Sequence, residues 1–119
     1  MKTFAYAIDL IADDELVAAY EAHHRAVWPE VLQGLRDVGV LQMKIFRVGY
    51  RMFMYCECED HFDPVTSFPE YLTLNKRIPE WEALMGPMQQ VIAAAQPGEQ
   101  WAAMKEVFDF KEQFKGDAS

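Results

Sequence analysis

Tyr20, His24 and Trp28 recur every four residues within Tyr20-Glu-Ala-His-His24-Arg-Ala-Val-Trp28-Pro-Glu30. On a helix this spacing stacks the three side chains along one face, with about 6 Å of axial rise per step. A phenol, an imidazole and an indole each carry a polar atom that needs a partner when buried, so this face is a poor dry core. It suits a ligand that combines hydroxyls with flat C–H surfaces, as a sugar ring does. Imidazole titrates near pH 6.5 and moves protons in either direction at neutrality, which makes His24 the expected acid/base group. A lone histidine is commonly a cap or a core filler; the company of Tyr20 and Trp28 favours a site. His23 points about 100° further round the helix and is expected to face solvent.

Pro29 sets the elements that carry this face. Proline drives its predecessor out of the helical region and is itself tolerated in a helix's first turn. The pattern predicts a helix over residues 13–25, a break at 26–28, and a second helix over 29–38 that Gly39 ends. His24 then lies in a last turn, where the helix dipole favours imidazolium. Trp28, at the break, reads as packing, whereas Trp81 reads as a flat wall for the ligand.

The chain has 119 residues, 51% apolar and 25% charged, which is the balance of one globular domain. Its net charge is −8, and its Lys and Arg are scattered, so nothing marks a nucleic-acid or anionic membrane surface. No charged leader with an apolar core opens the sequence, and no apolar run approaches the ~20 residues of a membrane helix. A cytoplasmic protein is expected. Cys56 and Cys58 lie two apart in an expected strand, pointing the same way without disulfide geometry, as free thiols of a reducing compartment do.

Residues 3–10 alternate apolar and polar, as do 41–47 and 52–58, which are joined by a turn containing Gly49. These are expected strands, the last two a hairpin. Met52, Met54, Cys56 and Cys58 share one face and Phe53 and Tyr55 the other. Residues 60–68 are expected as loop, with Pro69 opening a short helical piece. A helix is expected over 79–95, kinked at Gly86-Pro87, and a fourth strand over 104–110. The arrangement is βαββαβ: an α+β, ferredoxin-like antiparallel sheet with helices on one face, in a single domain over 1–110, followed by a mobile polar tail over 111–119. The apolar second face calls for another copy of the chain, giving a homodimer and a dimeric α/β barrel.

The chain resembles the L-rhamnose mutarotase family, dimeric ferredoxin-like proteins that interconvert the anomers of 6-deoxy sugars. The resemblance spans about residues 4–110 and rests on Tyr20-x-x-x-His24-x-x-x-Trp28-Pro29-Glu30, Gly39, Trp81 and Glu106-Val107-Phe108. It implies that His24 is the proton donor and that Tyr20 binds sugar, as do the positions of Glu80 and Trp81, where the family has two tryptophans. Met43 stands where the rhamnose enzymes have a sugar-binding tyrosine. These two departures, with Trp81-Glu82-Ala83-Leu84-Met85 and Trp101-Ala102-Ala103-Met104, are similar to relatives assigned to L-fucose. Mutarotation needs only proton transfer to and from the anomeric hydroxyl and the ring oxygen, so no cofactor is implied.

A different class of function fits the same scaffold. Dimeric ferredoxin-like barrels also serve as small-ligand binding modules or cofactor-free monooxygenases, and seven Met with many aromatics suit an apolar pocket. The polar character of the His-Tyr-Trp face argues for sugar. Cys56-Glu57-Cys58-Glu59-Asp60-His61 lacks the second ligand pair of a structural zinc site, and no metal is expected.

Overall fold

The computed structural model describes residues 1–117. Strand β1 (Lys2–Leu10) leads through Asp13 into helix α1 (Asp14–His24). Asp13 Oδ1 accepts from the backbone N–H groups of Glu15 and Leu16, at 3.0 and 3.2 Å, and so satisfies donors that the first turn leaves free. Trp28 is extended (φ −61°, ψ 137°) because Pro29 follows it, and α2 (Pro29–Asp37) starts there. Gly39 takes φ +110°, a conformation costly for any residue with a Cβ, and turns the chain into β2 (Val40–Val48). Gly49 (φ +59°) makes the turn to β3 (Arg51–Cys58).

Helices α3 (Pro64–Tyr71) and α4 (Arg77–Met85) follow, then a 3-10 turn at Gly86–Met88. Two short strands, β4 (Gln89–Gln90) and β5 (Ala102–Ala103), and helix α5 (Phe110–Asp117) complete the described chain. The sheet order is β2-β3-β1-β4, with β5 also on the β1 edge, and all pairs are antiparallel. This is the ferredoxin-like α+β arrangement.

Register explains which face holds the core. Tyr6 pairs with Met54 and Ile8 with Met52, so Tyr6, Ile8, Met52, Met54, Cys56 and Cys58 line one face. They bury against Val17 and Tyr20 of α1, Val31 of α2, Tyr71 of α3, and Ile78, Trp81 and Met85 of α4. Both cysteines are free and buried. The opposite face carries Phe53, Tyr55 and Ala7, with Phe46 stacked on Phe53 at 6.1 Å and 55% exposed. Among the described residues, no helix is long and apolar enough to cross a membrane.

Three expectations are corrected. Residues 60–68 are not all loop: α3 starts at Pro64, because Asp63 Oδ1 accepts from Val65 N–H at 3.0 Å and proline is pre-set for a first turn. Pro69 therefore lies inside a helix rather than opening one. The helix expected over 79–95 starts at Arg77 and stops at Met85, since Pro87 has no N–H to continue the ladder; residues 89 and 90 pair with β1 instead. The strand expected over 104–110 is reduced to Ala102–Ala103 and one further bond, Met104 N–H to the Ala5 carbonyl at 2.8 Å. The expected tail begins within α5, and its residues 118 and 119 lie outside the described residues.

Candidate active site

Helix α1 delivers Tyr20 and His24 to the inner face of the sheet, one turn apart, with their rings stacked at 4.3 Å. The Tyr20 carbonyl, one turn before His24, lies 2.9 Å from His24 Nδ1. A carbonyl only accepts, so Nδ1 carries the hydrogen. In the neutral ring, Nε2 is then the lone-pair nitrogen, and the imidazole is set as a base at one defined atom.

The charge state differs from the expected balance. The helix terminus and the Tyr20 carbonyl favour imidazolium, but desolvation by burial is the larger effect, and the neighbouring His23 adds to it. His24 is held below the ordinary histidine value and is neutral at pH 7. Tyr20 is 3% exposed, and burial pushes its phenol up to about 12; the charge of Glu82 acts the same way and a hydrogen bond from Gln89 opposes both. Tyr20 is therefore a hydroxyl donor at every working pH.

Beside these rings lies a cleft of about 460 Å³, within the range of small-molecule sites, lined by Tyr20, Glu21, His24, Arg25, Ile45, Phe46, Arg47 and Met52. Arg47 pairs across the sheet with Met52 and so belongs to the inner face. Its Nε donates to Glu21 Oε1 at 2.6 Å and its Nη1 to the Gly49 carbonyl at 2.6 Å. Sequence reading passed over this pair. The signal was there in the alternation Met43, Ile45, Arg47, where a charge breaks an apolar face.

Behind His24 stands an aromatic stack. Trp81 presents to His24 at 5.5 Å, to His23 at 6.2 Å and to Trp28 at 5.2 Å, all at steep angles. Trp81 is 5% exposed, so it braces the imidazole from the core side. His23 is thus half-buried beside the edge-on Trp81 ring rather than facing solvent. The Arg77 guanidinium lies 3.8 Å from the Trp28 ring centre, and its Nη1 meets Glu80 Oε2 at 3.1 Å. Glu80 is exposed at the outer end of this series, away from the cleft lining. Met43 is partly buried on the inner face, across from Cys56 and one row beyond Ile45. The structure therefore gathers Tyr20, His24 and Trp81 and leaves Glu80 outside. Glu30 has one carboxylate oxygen buried with no hydrogen-bond partner among the described residues; it lies in the first turn of α2, where the helix dipole offsets part of that cost. Among the described residues, no three His, Cys, Asp or Glu side chains gather to hold a metal.

Comparison with known proteins gives the family. A family model described as L-rhamnose mutarotase matches residues 3–110. A UPF0734 protein of Dictyostelium discoideum is 41% identical over 118 residues, spanning 94% of each chain. The L-fucose mutarotase of Xanthomonas campestris pv. campestris is 35% identical over 114 residues, spanning 94% of this chain and 90% of its own. The crystal structure of an L-rhamnose mutarotase from Formosa agariphila superposes with a TM-score of 0.65, covering 92% of this chain and 99% of that one; at 22% identity this likeness speaks for the fold. The family match and the Xanthomonas relative define the class as a carbohydrate isomerase, a mutarotase-type enzyme acting on a 6-deoxyhexose. The chain belongs to the L-rhamnose mutarotase family.

Proposed function

We propose that the protein is a homodimeric mutarotase of L-fucose in preference to L-rhamnose, with His24 as its acid/base residue, Tyr20 and Met43 on the substrate side and Trp81 bracing the imidazole, while Glu80, exposed outside the cleft, is not among the contacts. The observation that carries this reading is the bond from His24 Nδ1 to the Tyr20 carbonyl, which leaves a neutral Nε2 beside a sugar-sized cleft. Nε2 takes the proton of the anomeric hydroxyl as the bond from C1 to the ring oxygen breaks and the ring oxygen gains a proton. The open aldehyde then recloses on its other face and the transfers reverse. A positioned acid/base group supplies ~10²–10⁴-fold, enough to matter for a reaction that already runs slowly in water.

Met43 in place of tyrosine takes a hydroxyl partner from the pocket, which favours a ring with a different arrangement of hydroxyls. The relative named L-fucose mutarotase supports the same choice. Two copies are proposed to meet through the sheet face that the helices leave bare, where Phe46 and Val48 are 55% and 78% exposed. Saturation-transfer NMR of anomer exchange on a panel of aldoses is the test. Faster exchange of L-fucose than of L-rhamnose is expected, and no acceleration for any sugar would overturn the enzyme reading for this site. Light scattering should give a dimer at micromolar concentration.

A further inference from the structure

We infer that Gln89, held by Gln100, is a positioning residue that keeps the Tyr20 hydroxyl as an acceptor on one side, so that its proton is presented to the sugar's ring oxygen. The inference rests on the mutarotase reading and names the second proton-transfer group that this reading leaves open.

Gln89 opens β4, paired with Leu10 at the β1 edge and fixed by the 3-10 turn before it. Its Nε2 donates to Tyr20 Oη at 3.1 Å. Its Oε1 accepts from Gln100 Nε2. An amide has one donor end and one acceptor end, so a donor placed on its oxygen fixes the nitrogen toward the phenol. With that N–H on its oxygen, the Tyr20 hydroxyl does not spend its own hydrogen on Gln89, and among the described residues no other group accepts it. Tyr20 lines the cleft with His24. A bound pyranose supplies the missing acceptor.

The arrangement also suits the step in both directions. On opening, the anomeric proton passes to His24 Nε2, the bond from C1 to the ring oxygen breaks, and the ring oxygen takes the Tyr20 proton. On closure the new hydroxyl returns that proton to Tyr20, and the carbonyl oxygen takes its proton back from His24. While Tyr20 is short of its proton, the Gln89 N–H stabilises the phenolate, an interaction stronger in the charged state than in the neutral one. Its stacked partner His24 becomes imidazolium in the same step, and the Gln89 N–H adds a directed hydrogen bond to that attraction.

The test is a double-mutant cycle read by anomer exchange. Gln89→Glu places an acceptor-only carboxylate where the donor was, drawing the Tyr20 proton away from the cleft. It should lower the turnover rate by about tenfold or more, within the range of a lost acid/base contribution. Tyr20→Phe should lose a similar factor. The double variant should be no slower than Tyr20→Phe alone, because Gln89 acts through that hydroxyl. A purely structural Gln89 would instead cost the same factor in both backgrounds, which would overturn the inference, as would Gln89→Glu within twofold of native. Should Gln89→Glu fail to fold, Gln100→Ala, at an exposed position, frees the amide to turn over. A loss of a few-fold is then expected, and no loss overturns the inference. Native acceleration with no effect of these variants defeats this inference alone; no native acceleration for any aldose defeats the mutarotase reading and this role together.

Discussion

The two edges of β1 are held very differently. Eight residue pairs join β1 to β3 in an unbroken register from Lys2↔Cys58 to Asp9↔Arg51. On its other edge β1 meets only Asp9↔Gln90 and Leu10↔Gln89 of β4, then Tyr6↔Ala103 and Ala7↔Ala102 of β5. Long strands bury one face and repeat a two-residue pattern, so their pairing is over-determined. The short strands bury little of their own and depend on what the rest of the chain leaves open. The candidate site draws on both: Tyr20 and His24 come from a helix whose inner face joins the main core, whereas Gln89 and Gln100 come from the lightly tied segment.

The largest expected effect tests whether the firm region carries the chemistry. His24→Ala should reduce anomer exchange by ~10²–10⁴-fold while leaving the circular dichroism spectrum native-like, because the ring is half-buried and its main duty is proton transfer. A drop no larger than that of His23→Ala, which is expected to do little, would move the acid/base role to the neighbouring histidine.

Hydrogen exchange measures the contrast directly. Amides of β1 and β3 should open only with global unfolding, whereas those of Gln89 to Met104 should exchange by local opening, at least ~10²-fold faster. Equal protection on both edges would erase the distinction.

How much could be read in advance follows the same line. Period-two alternation gave β1, β2 and β3 with their faces, because one side of each is committed to the core. Asp13, Pro29 and Gly39 gave the helix boundaries, because each acts through its own backbone. Residues 79–95 misled, since Val91 and Ile92 keep helical spacing by coincidence once Pro87 has removed a ladder bond. Residues 104–110 misled as well: their alternation is real, but Val107 and Phe108 are 88% and 65% exposed, so no core selects a strand there. The stacking of Tyr20 and His24 on one face of α1 was legible from their spacing. Gln89 was not, because its meeting with Tyr20 spans 69 positions and depends on strand pairing that no local pattern encodes.

Acidity gives a third measurement. In the proposed mechanism neutral His24 is the active form, and its pKa is lowered chiefly by desolvation. Exchange should therefore be flat through neutrality and fall about tenfold per pH unit only below the histidine's lowered value, itself under 6.5. The linked effect on stability has the same sign: the unfolded chain binds the proton more readily, so stability is full above 6.5 and is lost as pH falls through the folded-state value. An acid limb centred above 6.5 would mean that the helix terminus outweighs burial.

The smallest effect compares two glycines, one in each region. Gly39 (φ +110°) and Gly98 (φ +88°) both hold backbone conformations that a Cβ disfavours, by roughly 1–2 kcal/mol for alanine. Their surroundings differ. A Cβ on Gly39 would lie 3.1 Å from His61 Nε2 and 3.4 Å from the Glu59 Cβ, while one on Gly98 would meet nothing within 4 Å. Gly39 also joins α2 to β2, and its carbonyl accepts from Glu59 N–H at 2.8 Å, so strain there is carried into the firmly paired sheet. Gly98 sits between β4 and β5, where local opening can relieve the strain without unfolding the sheet. Gly39→Ala should therefore lower global stability by the full backbone term, about 1–2 kcal/mol, and Gly98→Ala by less than half of that, in urea titrations followed by circular dichroism. Equal losses would show that the segment from Gln89 to Ala103 unfolds together with the sheet, which would give Gln89 as firm a footing as Tyr20 has.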